Sequence, residues 1–164
     1  MSALASVSAA CDIESLKAQL SNNRFYAILD ACDEPIVTGK VDELGPKGMC
    51  LYSGKSRDTF REIAPYLVEA DRELLDWIKS KLPGRPWGVL MVSDAPMLEL
   101  RRHLRQFLMV KLPDQRTVYF RFYDPRVITT FLNNCDDQER ADFFGPIDRF
   151  FVPNEGNDQF LEFA

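Results

Sequence analysis

A short, uninterrupted apolar run sets the first limit on what this chain can fold into. Residues 87–92 read Trp-Gly-Val-Leu-Met-Val, a stretch of strand length without alternating polar positions. Runs of this kind are typical of strands that are covered on both faces. Strand and helix patterns interleave on either side of it. The sequence therefore predicts an α/β (α+β) fold, with a mixed sheet, one antiparallel hairpin and helices packed around them.

The hairpin is the clearest pair of neighbouring strands. Residues 107–112 and 117–123 have strand patterns, and the Pro-Asp-Gln-Arg sequence between them favours a turn. We expect this hairpin to lie at the centre of the domain. Further strands are predicted at residues 24–30, 49–52, 65–69 and 147–152.

Capping residues mark where the helices begin. Asp12 and Asp71 precede helical apolar stripes, and Asp124 precedes Pro125, a residue suited to the first helical position. Asp136 and Glu139 have the spacing of a capping box. Other helices are predicted at residues 56–63 and 94–106. At 164 residues the chain suits one domain, which we place at 12–152, between a disordered N-terminus at 1–11 and an acidic tail at 153–164.

The residues that usually carry chemistry are sparse. His103 is the only histidine, so no site with two histidine ligands can form within one chain. The four cysteines are scattered and form no Cys-x-x-Cys pair, which favours buried, inert thiols in a reducing compartment. His103 lies at the border of an apolar helical stripe, which favours a structural role. Nucleophile-elbow and phosphate-loop motifs are absent, so we expect no enzymatic activity, no metal and no cofactor.

Targeting and membrane signals are also absent. The N-terminal sequence has no basic region followed by an apolar core, and no run of about 18 apolar residues occurs. We therefore expect a soluble cytoplasmic protein without a membrane partner.

Charge is distributed unevenly along the chain. The net charge is −5, yet residues 79–126 hold ten Lys or Arg against four Asp or Glu. Two interpretations stand equally: these cations pair with the acidic flanks of the same domain, or they form a recognition surface for an acidic partner.

Six residues of this basic segment are candidates for contacting a protein partner. Arg102 and Arg105 point away from the apolar stripe of their helix, whereas Arg101 lies nearer to it and is expected to be held by a carboxylate. Residues 118–123 alternate, with Arg121 and Tyr123 on one face, which is a composition common in binding hot spots. Packing of Arg121 over tyrosine rings is the favoured alternative. The full set of candidates is Arg101, Arg102, Arg105, Arg121, Tyr123 and Arg126.

Several sequence pieces, in order, resemble one known family. The most specific are Leu-Arg-Arg-His-Leu-Arg at residues 100–105 and Phe-Arg-Phe-Tyr-Asp-Pro-Arg at 120–126. Weaker pieces occur at residues 26–30, 51–52, 64–67, 87–88 and 143–146. Together they make the chain similar to the effector chaperones, or adaptor proteins, of type VI secretion. The resemblance implies a non-enzymatic protein of the bacterial cytoplasm that holds a toxic effector polypeptide and helps to load it onto the VgrG spike.

Two other classes of function stay open at this point. The basic segment at 79–126 could serve a nucleic-acid-binding module, although the net negative charge argues against one. An enzyme of unrecognised type would require a cleft that holds groups with strongly perturbed pKa values.

Overall fold

The computed structural model describes residues 8–154 and 159–164, which form a seven-stranded sheet with helices on both faces. The strands are β1 (Ser8–Asp12), β2 (Phe25–Asp30), β3 (Gly48–Cys50), β4 (Pro65–Ala70), β5 (Gly88–Val92), β6 (Met109–Lys111), β7 (Thr117–Tyr119), β8 (Arg149–Pro153) and β9 (Gln159–Phe163). The helices are α1 (Ile13–Gln19), α2 (Ile36–Leu44), α3 (Gly54–Thr59), α4 (Arg72–Lys81), α5 (Met97–Arg105), α6 (Pro125–Asn134) and α7 (Asp137–Phe144). Short 3-10 turns occur at Gly45–Lys47 and Arg61–Ile63.

The strand order in the large sheet is β1-β9-β8-β5-β2-β4-β3. The α/β (α+β) class with helices packed around a sheet is confirmed. Every strand pair within the described residues is antiparallel, so the expectation of a mixed sheet was wrong on strand direction. Apolar runs predict burial but not direction, because a helical connection can return a strand in either sense.

Alternating side chains divide the core into two halves. On β2, Phe25, Ala27 and Leu29 point to the layer formed by α1, α2 and α4. Tyr26 and Ile28 point to the opposite layer, formed by α5, α6 and α7. The fully buried run on β5 lies between the two layers, as its continuous apolar sequence requires.

Gly88 opens β5 because no larger residue fits there. Its φ is +144°, and a Cβ atom would overlap the carbonyl oxygen of Ile28 on β2. The Trp-Gly pair at 87–88 is therefore needed for the close approach of the two central strands.

The predicted hairpin exists, but its position was wrong. β6 and β7 pair with each other as a separate two-stranded sheet and join no strand of the large one. The ladder ends at Tyr119, because the chain then turns inward to bury Phe122 and Tyr123. The alternating sequence pattern of residues 118–123 therefore extends beyond the strand itself, which ends at Tyr119.

Both ends of the described chain belong to the sheet, which corrects the predicted boundaries. β1 pairs with β9, and β9 pairs with β8. The assigned tail contributes buried Phe160 and Phe163, which are three residues apart and so pack on opposite faces of the sheet, and this burial holds both segments in place. Of the predicted disordered N-terminus, residues 8–11 lie in β1, and residues 1–7 lie outside the described residues.

Helix starts were predicted well where a side chain caps the helix. Asp12, Asp71 and Asp124 accept backbone hydrogen bonds at the start of α1, α4 and α6, and α7 has the capping box. α5 begins only after Pro96, and α3 follows Ser53 rather than Ser56. None of the helices in the described ranges has the length and apolar character needed to cross a bilayer.

Candidate protein-binding surface

α5 presents two different faces, which its sequence pattern dictates. Leu100 and Leu104 are fully buried against the sheet. Arg101, Arg102 and Arg105 lie on the other sides of α5 and have different surroundings.

Arg101 secures the edge of the sheet. Leu51 donates its N–H to Pro65 O on β4, so the carbonyls of Cys50 and Tyr52 point to the opposite, free side of β3. Arg101 takes both: its Nε donates to Cys50 O at 2.7 Å and its Nη2 to Tyr52 O at 3.0 Å. The expected carboxylate partner was wrong. Arg101 covers an edge that would otherwise offer unpaired carbonyls to another strand.

Arg102 and Arg105 differ in how much of the guanidinium is free. Arg102 is exposed and makes no hydrogen bond or ion pair with the described residues. Arg105 is half-buried, contrary to the expectation that it is solvated, and its Nη2 donates to Ser53 Oγ at 2.7 Å. Its Nε is buried and has no partner among the described residues.

His103 has a structural role. Its Nε2 lies 2.8 Å from the carbonyl of Phe143, and its ring packs edge-on against Phe107 with centroids 5.2 Å apart. Gly145 ends α7 with a φ of +49°, and a Cβ atom there would overlap the imidazole ring. His103 and Gly145 therefore fit together as parts of the core boundary.

Arg121 and Tyr123 face inward. Arg121 Nη2 donates to Asp30 Oδ2 at 2.6 Å, and its guanidinium lies 5.8 Å from the centre of the Tyr123 ring, as the packing alternative predicted. Burial raises the pKa of the Asp30 carboxyl, and the hydrogen bonds from Cys32 N–H and Arg121 offset this only in part. Tyr123 is 2% exposed, so it leaves no surface for a partner.

Asp124 and Arg126 form the start of α6. The Asp124 carboxylate accepts from the Arg126 backbone N–H at 2.9 Å and from its Nη2 at 2.8 Å. Burial acts to raise the pKa of Asp124, but these bonds outweigh it and lower the pKa below its usual range. Arg126 keeps much of its side chain exposed while it holds the cap.

Three tyrosine hydroxyls connect this interior to the surface. The Tyr52 and Tyr119 hydroxyls are 2.7 Å apart, and those of Tyr119 and Tyr123 are 2.9 Å apart. Burial and these hydrogen bonds raise the pKa of Tyr119, so its hydroxyl stays protonated. The chain of hydroxyls fixes the position of Tyr52 and Tyr119, which form part of the wall of a groove.

This apolar groove lies between α3 with its following 3-10 turn, the β6–β7 hairpin and the end of α5. It has a volume of about 420 Å³. Its lining comprises Leu51, Tyr52, Ser53, Ser56, Phe60, Ile63, Arg105, Leu108, Met109 and Tyr119.

The groove and the adjoining face of α5 hold most of the exposed apolar side chains. The described residues include six large hydrophobic side chains that are exposed, and four of them line the groove: Phe60, Ile63, Met109 and Tyr119. A fifth, Leu98, lies on α5 with the three arginines, around a shallow concavity of about 380 Å³. We call this part of the α5 surface, formed by Leu98, Arg101, Arg102 and Arg105, the basic ridge. Arg105 lines both, so the groove and the basic ridge are one continuous surface.

Both interpretations of the basic segment at 79–126, internal ion pairing and a free recognition surface, apply to part of it. Five of its ten cations pair with carboxylates, namely Lys79, Arg85, Arg116, Arg121 and Arg126. Arg101, Arg102 and Arg105 have no carboxylate within ion-pair distance in the described ranges. The cations without such a partner are thus concentrated on the basic ridge.

The cysteines do not form a reactive centre. Burial raises the pKa of Cys50 and Cys135, which keeps these thiols protonated. Cys32 is exposed and Cys11, Cys50 and Cys135 are only partly buried, so the expectation of buried thiols was wrong. Within the described ranges no cluster of His, Cys, Asp and Glu could hold a metal ion.

The groove was missed by the sequence analysis. Phe60 and Ile63 lie close to charged residues in one short segment, whereas Met109 lies within the apolar run at 107–110, where the strand pattern alone accounts for it. Isolated apolar residues are common on surfaces, so only their assembly in three dimensions marks them.

The fold defines a class: an α/β domain whose antiparallel sheet is covered by helices on both faces. The sequence of residues 25–142 matches the model of the family described as Domain of unknown function (DUF4123). This match covers more than half of the chain, which therefore belongs to that family. No curated protein and no solved structure matches the chain.

Proposed function

We propose that the protein is an adaptor of type VI secretion, which binds a toxic effector polypeptide in the bacterial cytoplasm and helps to load it onto the VgrG spike. One observation carries the proposal: five of the six exposed large hydrophobic side chains in the described ranges lie on the groove and the basic ridge. Contiguous exposed apolar surface marks interaction sites in soluble domains. Arginine is also enriched in protein interfaces.

The resemblance to effector chaperones supports the same function. Its two most specific pieces, at residues 100–105 and 120–126, lie within the segment that matches the family. Most of their side chains are used for folding: Leu100 and Leu104 are buried, Arg101 covers the sheet edge and Asp124 caps α6. The motifs thus mark the scaffold that shapes the groove.

No chemical step is part of this proposal. His103, the only histidine, is hydrogen bonded to the Phe143 carbonyl and packed against aromatic rings. A general base requires a nucleophile within hydrogen-bond reach, and among the described residues His103 has none beside it.

Co-purification tests the proposed function directly. The full chain is expressed with the toxin encoded beside its gene and, separately, with VgrG, and each complex is isolated through a tag on the adaptor. We expect both to co-purify, with affinities that calorimetry measures at two salt concentrations. If the wild-type chain binds neither the toxin nor VgrG, the proposal is overturned.

The same preparation tests the nucleic-acid alternative. A labelled duplex and a labelled single strand are titrated by fluorescence anisotropy over a range of salt concentrations. If the chain binds nucleic acid, the logarithm of the binding constant falls linearly with the logarithm of the salt concentration, with a slope of about one per phosphate contact. We expect no such binding, because half of the basic segment is already neutralised within the chain.

A further inference from the structure

The apolar part of the groove is exposed on the free chain. Phe60, Ile63 and Met109 are 46%, 45% and 53% exposed, and they face the groove from two sides. Leu51 and Leu108 form a buried floor beneath them. Such a depression is filled by large apolar side chains, since burial of each one contributes about 1.5–3 kcal/mol.

The rim of the groove has unbalanced positive charge. Arg101, Arg102 and Arg105 lie within the last two turns of α5 and have no carboxylate partner among the described residues. Arg57 on α3 also lies near Arg101, but it is paired with Asp58. Burial, and then the nearby charge of Arg105, lower the pKa of the Arg101 guanidinium.

The two carboxylates of the segment from α3 to Ile63 already have arginine partners. Asp58 lies 3.3 Å from Arg57, and Glu62 lies 4.0 Å from Arg61. Neither is within ion-pair distance of the arginines of α5. A partner that brings its own carboxylates would therefore pair with charges on the ridge that no carboxylate of the described residues neutralises.

Arg105 is the point at which the apolar and charged parts meet. Its Nη2 is fixed on Ser53 Oγ, while its buried Nε has no acceptor among the described residues. A partner cannot reach this buried Nε, but the side chain as a whole is only half-buried, so a carboxylate of the partner can pair with the guanidinium charge of Arg105.

We propose that the groove binds an acidic segment of the partner polypeptide, whose large apolar side chains fill the groove while its carboxylates pair with Arg102 and Arg105. This inference rests on the proposed function and names the part of the partner that the adaptor recognises. A polypeptide is favoured over a nucleic acid because the floor of the groove is apolar, whereas phosphates would engage only its rim.

The test uses short overlapping synthetic peptides that cover the sequence of the neighbouring toxin, with binding measured on the full chain by fluorescence anisotropy. We expect the bound peptides to share several Asp or Glu residues together with large apolar ones. Binding that is confined to basic or uncharged peptides overturns the inference.

Two groups of variants locate the binding surface. Arg102→Glu with Arg105→Glu, and Phe60→Ser with Met109→Ser, are each expected to weaken binding of the full toxin at least about tenfold, or about 1.4 kcal/mol. The matched controls, Arg72→Glu on α4 and Ile36→Ser on α2, change exposed residues on the other face of the sheet and should bind like the wild type. Circular dichroism and thermal melting verify that every variant folds.

The outcomes separate this inference from the proposed function. If the wild-type chain captures neither toxin nor VgrG, the proposed function fails. If it captures the toxin but both groups of variants bind like the wild type, the adaptor role stands and the inference fails. Dimerisation of the free chain that is lost in the same variants would assign the groove to a second copy, which also overturns it.

Discussion

The two helical layers that cover the sheet differ at their outer surfaces. Around α1, α2 and α4 several cations pair with carboxylates, as in Lys17–Asp76, Lys79–Glu14 and Arg85–Glu34, although Arg72 on α4 has no such partner among the described residues. The only large hydrophobic side chain exposed on that layer, within the described residues, is Ile36. The layer of α5, α6 and α7, together with the groove beside it, has three arginines without carboxylate partners and five exposed apolar side chains.

The interiors of the two layers do not differ in this way. Both are formed by fully buried side chains, such as Leu75 on α4 and Phe143 on α7. The contrast is thus confined to the surface and does not come from a poorly packed half. A layer with a well-packed interior, but with unpaired charges and exposed apolar side chains on its surface, is suited to binding. A partner can cover that surface without any rearrangement of the core.

The largest predicted effect tests whether the two interiors are equivalent. Phe143 is fully buried and lies 5.1–5.7 Å from the ring centres of Phe107, Phe122, Phe131 and Phe150. Phe143→Ala should lower the free energy of unfolding by about 3–5 kcal/mol, and Leu75→Ala by about 2–5 kcal/mol. Urea denaturation measures both. A loss near 0.5 kcal/mol for Phe143→Ala, the size of a surface effect, would show that its layer is loosely packed.

The next prediction concerns Arg101 of α5. Arg101→Ala removes a charged donor from the carbonyls of Cys50 and Tyr52, and hydrogen bonds to charged groups contribute about 1.5–3 kcal/mol. Hydrogen exchange at β3 and β4 should quicken, because the edge strand loses its attachment to α5. Equal stability of this variant and the wild type would mean that solvent replaces Arg101 at the sheet edge.

Local signals allowed much of the fold to be predicted. Asp124 with Pro125, and Asp136 with Glu139, specify helix starts through nearby backbone amides, so their effect is visible in a few residues of sequence. The pairing of β1 with β9 was missed because it joins the two ends of the chain. No local pattern reports a contact between segments that are so far apart in sequence.

The candidate site was predictable only in part, for the same reason. Arg102 could be placed on the surface from helical spacing alone. The spacing could not show that Arg101 meets carbonyls of β3, or that Arg121 reaches Asp30 across the fold. The motif at residues 120–126 suggested a surface but forms mainly interior contacts, because its aromatic residues and Asp124 are largely buried.

A smaller effect is expected for the cap of α6, and it depends on pH. Asp124→Ala should cost about 0.5–2 kcal/mol at neutral pH. Because the folded protein lowers the pKa of Asp124, its charge stabilises the fold above the ordinary pKa of an aspartate, and this contribution is lost as the pH falls through the lower folded value. The difference between wild type and Asp124→Ala should therefore shrink in acid.

Asp124→Asn is the matched variant for that experiment, because an asparagine still caps a helix but has no charge to titrate. It should be more stable than Asp124→Ala and should show the same loss of pH dependence relative to the wild type. Denaturation curves at several acidic pH values measure this. A difference that grows as the pH falls contradicts the assigned pKa direction.

The smallest effect on stability is expected for the exposed arginines, and it returns to the comparison of the two layers. Arg102→Gln and Arg72→Gln each remove one exposed charge that has no ion-pair partner among the described residues. Substitutions of this kind stay within about 0.5 kcal/mol of the wild type. The two variants should therefore unfold alike but bind differently: Arg102→Gln should weaken capture of the partner, mainly at low salt where exposed charges are least screened. Calorimetry of both variants at two salt concentrations measures this, and equal affinities would mean that the contrast between the layers has no role in recognition.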